Sequence, residues 1–225
     1  MAKDFLLEIG TEEIPTGYIP GALALIEKNF SDKLNEFKLS FQSIRTFATP
    51  RRLVLLVTDL QEKQNDIEEE VIGPPKNVSI DASGNFTKAA EAFANSQGIT
   101  VNDLFVVNKD KKEYVGYIRK SKGRETKLIL SECLPEFILS LNFPKSMRWG
   151  EGDIRFVRPI HWLLALLGDE VVDFSIGSIK SSNKTFGHRF MANKEMSVLS
   201  FQYYQKKLYE NYVILYTEER KKIII

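Results

Sequence analysis

Two apolar, β-branched runs, Ser43–Ala48 and Arg52–Leu60, are separated only by Thr49-Pro50 and Arg51. They read as consecutive strands joined by a turn. Two strands in direct succession break the strand–helix alternation that a doubly wound sheet requires. Asp4–Ile9 is a third short apolar run, ending at Gly10. Gly17–Lys38 carries Leu23, Ile26, Phe30, Leu34 and Phe37 in steps of three and four, the spacing of an amphipathic helix.

The same reading extends along the chain. Gln61–Glu70 holds five carboxylates against one lysine and suits a solvated face or an extended segment. Gly73-Pro74-Pro75 is expected to break the chain, because neither proline can donate to a ladder. Thr87–Gln97 is expected to be helical with Gly98 as its stop, and Thr100–Asp103 has the form of a capping box. Leu104–Val107 and Glu113–Arg119 form a hairpin pattern, within a stretch (109–127) holding eight Lys/Arg against three Asp/Glu. Thr126–Leu141 predicts an apolar helix that Pro135 kinks or opens. Pro159–Leu167 predicts a helix stopped by Gly168. Glu170–Ile176 predicts a strand, Gly177–Lys194 an irregular polar segment, and Ser200–Asn211 a helix capped by Ser200. Val213–Tyr216 predicts a strand, and Thr217 opens a last helix.

The expected fold is therefore α+β, with mixed or antiparallel sheets, packed helices and two subdomains. Gly73 gives the expected boundary, with an N-terminal α+β subdomain over 1–72 and a second α+β region over 73–225; Asn142–Asp153 is the next candidate. A hydrophobic fraction of 43% over 225 residues supports a sizeable core. The net charge of +1 announces no nucleic-acid partner by itself, so any RNA contact must come from local patches. The one cysteine, Cys133, lies in an apolar segment and is expected to pack as a small hydrophobe. The N-terminus lacks the form of a secretory signal, and no apolar stretch approaches the ~20 residues of a membrane span. A cytoplasmic protein without membrane contact is expected.

Familiar chemistry is missing from the pattern. The sequence has no phosphate loop with Lys-Ser/Thr, no Gly-x-Ser-x-Gly elbow and no Cys/His metal spacing. Four segments carry information instead. Asn142–Trp162 interleaves Lys145, Arg148, Arg155 and Arg158 with Phe143, Met147, Trp149, Phe156, His161 and Trp162. Cations neutralise phosphates and planar groups stack on bases; the same residues equally make a packed corner whose cations pair with Glu151 and Asp153. Thr185-Phe186-Gly187-His188-Arg189-Phe190 offers a tight backbone and two planar donors, with His188 either a general base or a structural hydrogen-bond donor. Glu12 and Glu13 after the first strand suit acid–base or metal chemistry, or act as N-terminal charges for the following helix. Thr49-Pro50-Arg51-Arg52 aims two arginines outward from a strand start, toward phosphate, carboxylate or solvent.

Taken in order, Leu7–Pro15, Thr49–Leu53, Gly73–Pro75, Phe143–Trp149 with Phe156, Arg158–Ile160 and Trp162, and Thr185–Phe190 resemble bacterial glycine–tRNA ligase β subunits. Five motifs in sequence order, spanning almost the whole chain, make the resemblance specific. It implies a class II aminoacyl-tRNA synthetase of α₂β₂ type, in which the α subunit holds ATP, Mg and glycine and the β subunit supplies tRNA binding and assembly. No cofactor is expected in this chain. The implied partners are the α subunit, tRNA(Gly) and the remainder of the β subunit, whose HD-like and anticodon-binding domains are expected beyond Ile225. By itself the chain is expected to be inactive. The candidate tRNA-contacting residues are Arg51, Arg52, Lys145, Arg148, Trp149, Arg158, His188 and Arg189, and no catalytic or metal-binding residue is expected. Two other readings stay open: a structural module bridging subunits without RNA contact, and an editing-type hydrolase built on His188 and Glu12.

Overall fold

The computed structural model describes residues 2–110, 112–149 and 154–224. In chain order the elements are β1 (Ala2–Thr11), α1 (Ile19–Glu36), β2 (Ser43–Thr49), β3 (Arg52–Gln61), β4 (Ile67–Pro75), α2 (Lys76–Ser79), α3 (Lys88–Gln97), β5 (Phe105–Lys109), β6 (Lys112–Ser121), α4 (Thr126–Leu139), β7 (Met147–Arg148), β8 (Arg155–Phe156), β9 (Ile160–Leu167), β10 (Glu170–Val171), β11 (Ser175–Ile176), β12 (Ile179–Ser182), β13 (Lys184–Phe186), β14 (Glu195–Ser197), α5 (Phe201–Glu210) and α6 (Thr217–Ile224). Two compact units result: Met1–Gln64 with Arg124–Ile225, and Asn65–Gly123. The architecture is α+β.

The larger unit is built on a sheet in the order β11-β12-β9-β1-β3-β2, with β10 also on β9. All its pairs are antiparallel except β12 with β9. The Pro50-Arg51 turn joins β2 to β3, as the sequence predicts. Strand alternation then sends side chains to two different cores. Phe5, Leu7 and Ile9 of β1 face one core, which takes Ala22, Ile26, Phe30 and Leu34 of α1 and the buried stripe of α4. Leu6 faces the other, with Val54, Leu56, Leu164 and Leu166, against Phe201, Tyr204 and Leu208 of α5. Burying each such large apolar side chain contributes about 1.5–3 kcal/mol. Cys133 is buried within α4, and burial pushes its thiol up to about 11.

Several sequence expectations are corrected here. Ile160–Leu167 is a strand, not a helix. It runs between β1 and β12 with Leu163, Ala165 and Leu167 in one core and Leu164 and Leu166 in the other. Apolar side chains are wanted on both faces there, so the helical and strand patterns coincide. Val213–Tyr216 is not a strand but a connection tied to α5 by Val213 N–H donating to Leu208 O. Glu170–Ile176 splits into β10 and β11, and the polar stretch after Gly177 holds β12 and β13. The suggested pairing of cations with Glu151 and Asp153 lies outside the described residues.

In the smaller unit, β4-β6-β5 form an antiparallel sheet backed by α3 through Ala90 and Ala94, with Val115 and Tyr117 from β6. Gly73-Pro74-Pro75 does not break the chain but ends β4, where the register with β6 slips between Ile72 and Pro75. A bulge lets the prolines sit where no ladder donor is needed. Thr100 and Asp103 form the expected box, Asp103 Oδ2 accepting from Thr100 N–H at 3.0 Å and from its hydroxyl at 2.8 Å.

Candidate functional site

The site begins at Gly10. On β1 it lies opposite Arg52 of β3 and opposite Trp162 of β9. A Cβ at Gly10 would stand 2.0 Å from the Trp162 ring. Only glycine leaves room for that ring, and the Arg52 guanidinium then lies over it at 5.6 Å. Two residues back on the same face, Glu8 is fully buried, 3.0 Å from Arg52 Nη1. The contact is an ion pair rather than an aligned hydrogen bond. Burial pushes the Glu8 carboxyl up from its ordinary value; Arg52, Thr185, Trp162 and Tyr204 pull the other way. Arg52 also donates to Phe186 O at 2.9 Å and to Thr185 Oγ1 at 3.4 Å. It is 3% exposed, so the expectation that it points outward is corrected. A buried carboxylate two positions from its partner strand's register holds it inside.

Arg51, the next residue out, is half-buried at the surface. The segment after β1 is tied to its turn: Thr11 N–H donates to Arg51 O and Ile14 N–H to Pro50 O, while Glu12 N–H donates to Pro159 O. These bonds hold Glu12 among cations. Its Oε2 is 3.1 Å from Arg189 Nη1, its Oε1 3.0 Å from His161 Nε2 and 3.9 Å from Arg51 Nη2. The expected role of Glu12 and Glu13 as helix-starting charges is therefore corrected: no acidic residue lies in the first turn of α1. Burial lowers the Arg51 guanidinium from its ordinary value, with Glu12 opposing.

The Thr185–Phe190 segment closes the site from the β13 side. Gly187 is obligatory, since a Cβ would stand 2.2 Å from Ala192 O. The tight loop sets His188 Nδ1 to accept from Phe190 N–H and Met191 N–H, each at 3.3 Å. With Nδ1 accepting, the neutral ring carries its proton on Nε2. The His188 ring thus accepts from the backbone, where the sequence reading offered a donor. Arg189 lies over Phe190 at 5.6 Å. Between this loop, the Pro50-Arg51 turn and Tyr212 runs a cleft of about 230 Å³, also lined by Glu13 and Arg220.

Of the sequence-predicted residues, the structure brings Arg51, Arg52, His188 and Arg189 to this cleft. Arg158 reaches its edge, donating from Nε to Glu13 O at 3.0 Å. Lys145, Arg148 and Trp149 do not line it; they belong to the segment around the β7–β8 pair, with Lys145 and Arg148 exposed. Trp149 is half-buried and packs against the α1/α4 core. Glu12 is paired with His161 and Arg189, and among the described residues no hydrogen bond or ion pair joins it to His188. Sequence reasoning missed Tyr204, Tyr212 and Arg220. The one available signal nearby was Glu8, a charge inside an otherwise apolar strand run.

The family model described as "Glycyl-tRNA synthetase beta subunit" matches residues 5–225. The chain is 47% identical over 225 residues to the glycine–tRNA ligase beta subunit of Syntrophus aciditrophicus, covering 100% of this chain and 33% of that protein. It is 46% identical over 222 residues to that of Geobacter metallireducens, covering 99% and 32%. With the Clostridioides difficile protein the identity is 42% over 223 residues, again 99% and 32%. The chain thus spans about one third of the length of the curated relatives it matches.

Proposed function

The chain belongs to the glycyl-tRNA synthetase beta subunit family, and from that premise we propose that it supplies part of the tRNA-binding surface and part of the α₂β₂ assembly of a glycine–tRNA ligase. Within this proposal ATP, Mg and glycine belong to the α subunit, and this chain performs no bond-making step. Its contribution to ATP-dependent attachment of glycine is to hold tRNA(Gly), together with the α subunit and the remainder of the β subunit.

The supporting observation is the cleft. Arginines distant in sequence, Arg51 and Arg189, share it with His188, and Arg51 keeps a buried Nε with no acceptor among the described residues. Guanidinium groups suit phosphate because their donors are planar and forked. Steady binding of an RNA backbone by such a patch is electrostatic and salt-sensitive.

The test separates RNA contact from assembly. Arg51→Gln with Arg189→Gln is measured for retention of tRNA(Gly) on a filter and for co-purification with the α subunit. The proposal expects tRNA retention to fall while co-purification persists. Loss of co-purification with unchanged tRNA retention would assign the cleft to subunit contact and remove its RNA role.

A further inference from the structure

The cleft is too small and too unevenly charged to take a duplex, and its chemistry specifies one group. At about 230 Å³ it falls below the ~300 Å³ at which pockets for drug-sized ligands begin. Its charges mostly pair within the protein. Arg52 is matched by Glu8 and Arg189 by Glu12. Arg51 stands 3.9 Å from the same Glu12 carboxylate, beyond hydrogen-bonding distance. Arg220 hydrogen-bonds only neutral oxygens among the described residues: Ile214 O at 2.7 Å, Leu215 O at 2.9 Å, Thr217 Oγ1 at 3.0 Å and Ala48 O at 3.1 Å. Against Arg51 and Arg220 the lining offers Glu13. The surplus is one positive charge, the complement of one phosphodiester.

The rim is aromatic. Phe190 is 82% exposed and Tyr212 is 58% exposed, both lining the same cleft. Tyr212 holds φ at 60°, a backbone region that a bulky L-residue seldom adopts. Strain of this kind collects at functional positions. His188, with Nδ1 engaged by the backbone, directs its remaining N–H elsewhere, its ring 6.2 Å from that of Phe190. One unmatched cation and two exposed rings fit a base and its phosphate together; an acidic peptide would use the cation and leave the rings wet.

We propose that this cleft binds a single unpaired nucleotide, its phosphate against Arg51 and its base on the exposed rings of Phe190 and Tyr212. The inference rests on the RNA-binding role proposed above and narrows it to unpaired RNA. Stacking of one base on an aromatic side chain is sequence-tolerant and is worth roughly tenfold or more in affinity.

Fluorescence anisotropy of the full 225-residue chain tests it with three probes: a blunt RNA duplex, the same duplex with a short unpaired 3′ extension, and a glutamate-rich peptide. The extended duplex is expected to bind about tenfold tighter than the blunt one. Phe190→Ala and Tyr212→Ala each remove that advantage, while Phe190→Trp keeps it. Equal binding of both duplexes by the wild-type chain overturns the inference yet leaves RNA binding standing. Failure to bind either duplex or whole tRNA removes the RNA role itself, and the inference with it. Binding of the peptide in preference to both duplexes assigns the cleft to a protein partner and overturns the inference. The wild-type comparison of the two duplexes stands even if a variant misfolds.

Discussion

Glu8 sits fully buried at the centre of the sheet, and its ionisation is decided by two opposed effects. Burial disfavours the anion, while Arg52 favours it, and burial is the larger. The folded carboxyl therefore holds its proton more tightly than the unfolded one. Between the ordinary value of 4.5 and the raised folded value, the native state binds more protons than the unfolded state. Stability contributed by protonated Glu8 is then fully present below pH 4.5 and declines as pH rises through the folded value. Glu8→Gln isolates this behaviour, because glutamine keeps the shape and does not titrate. Urea unfolding from pH 4 upward should show wild-type stability falling relative to Glu8→Gln as pH rises. A relative stability that grows with pH would mean that Arg52 outweighs burial. The consequence reaches the site, since the same Arg52 fixes Phe186 O and so the start of the His188–Arg189 loop.

At the scale of elements, the β3-β1-β9 ladder is what assembles the cleft, and Gly10 is the position where it is tightest. Gly10→Ala puts a methyl into the Trp162 ring, displacing both the ring and the Arg52 guanidinium above it. Overpacking of this kind costs about 1–3 kcal/mol. A chemical denaturation curve should show that loss, and Gly10→Ala combined with Trp162→Leu should recover part of it. Equal stability of Gly10→Ala and wild type would mean the ring moves aside freely. The same ladder explains what the sequence disclosed. α1 was legible because its buried face has the helical period, and β1, β2 and β3 because their apolar runs are bounded by Gly10 and by Thr49-Pro50. The strand Ile160–Leu167 was not, because its apolar run lacks alternation and its flanks, Pro159 and Gly168, equally suit the ends of a helix. Arg51, His188 and Arg189 were legible as cationic motifs, but their meeting point was not, since it depends on long-range pairing of β13 with β14 and on Glu12. Tyr212 and Arg220 come from a loop and a short helix whose sequence resembles any polar surface. Trp149 and Lys145 lie in a motif that marks the family well and that does not line this cleft.

For the chain as a whole, the smaller unit is inserted between Gln64 and Arg124, both within the larger unit. Those two residues are paired directly: Gln64 N–H donates to Arg124 O at 2.9 Å, and Arg124 N–H to Gln64 Oε1 at 3.1 Å. Insertions at such closed junctions are tolerated, because the loop-closure cost grows slowly with length. Replacing residues 65–123 with a short Gly/Ser linker should leave a cooperatively folding unit that keeps the cleft, read by circular dichroism and a single unfolding transition. Loss of cooperative unfolding would show that the larger unit depends on the insertion.

The central claim, that Arg51 meets an RNA phosphate in this cleft, is tested most directly by the salt dependence of tRNA(Gly) binding. Each phosphate contact to single-stranded RNA contributes about 0.7 to the slope of log affinity against log salt. Arg51→Gln should weaken binding at low salt and reduce that slope by about 0.7, which is one contact at this rate. An unchanged slope and affinity in the variant would contradict the account.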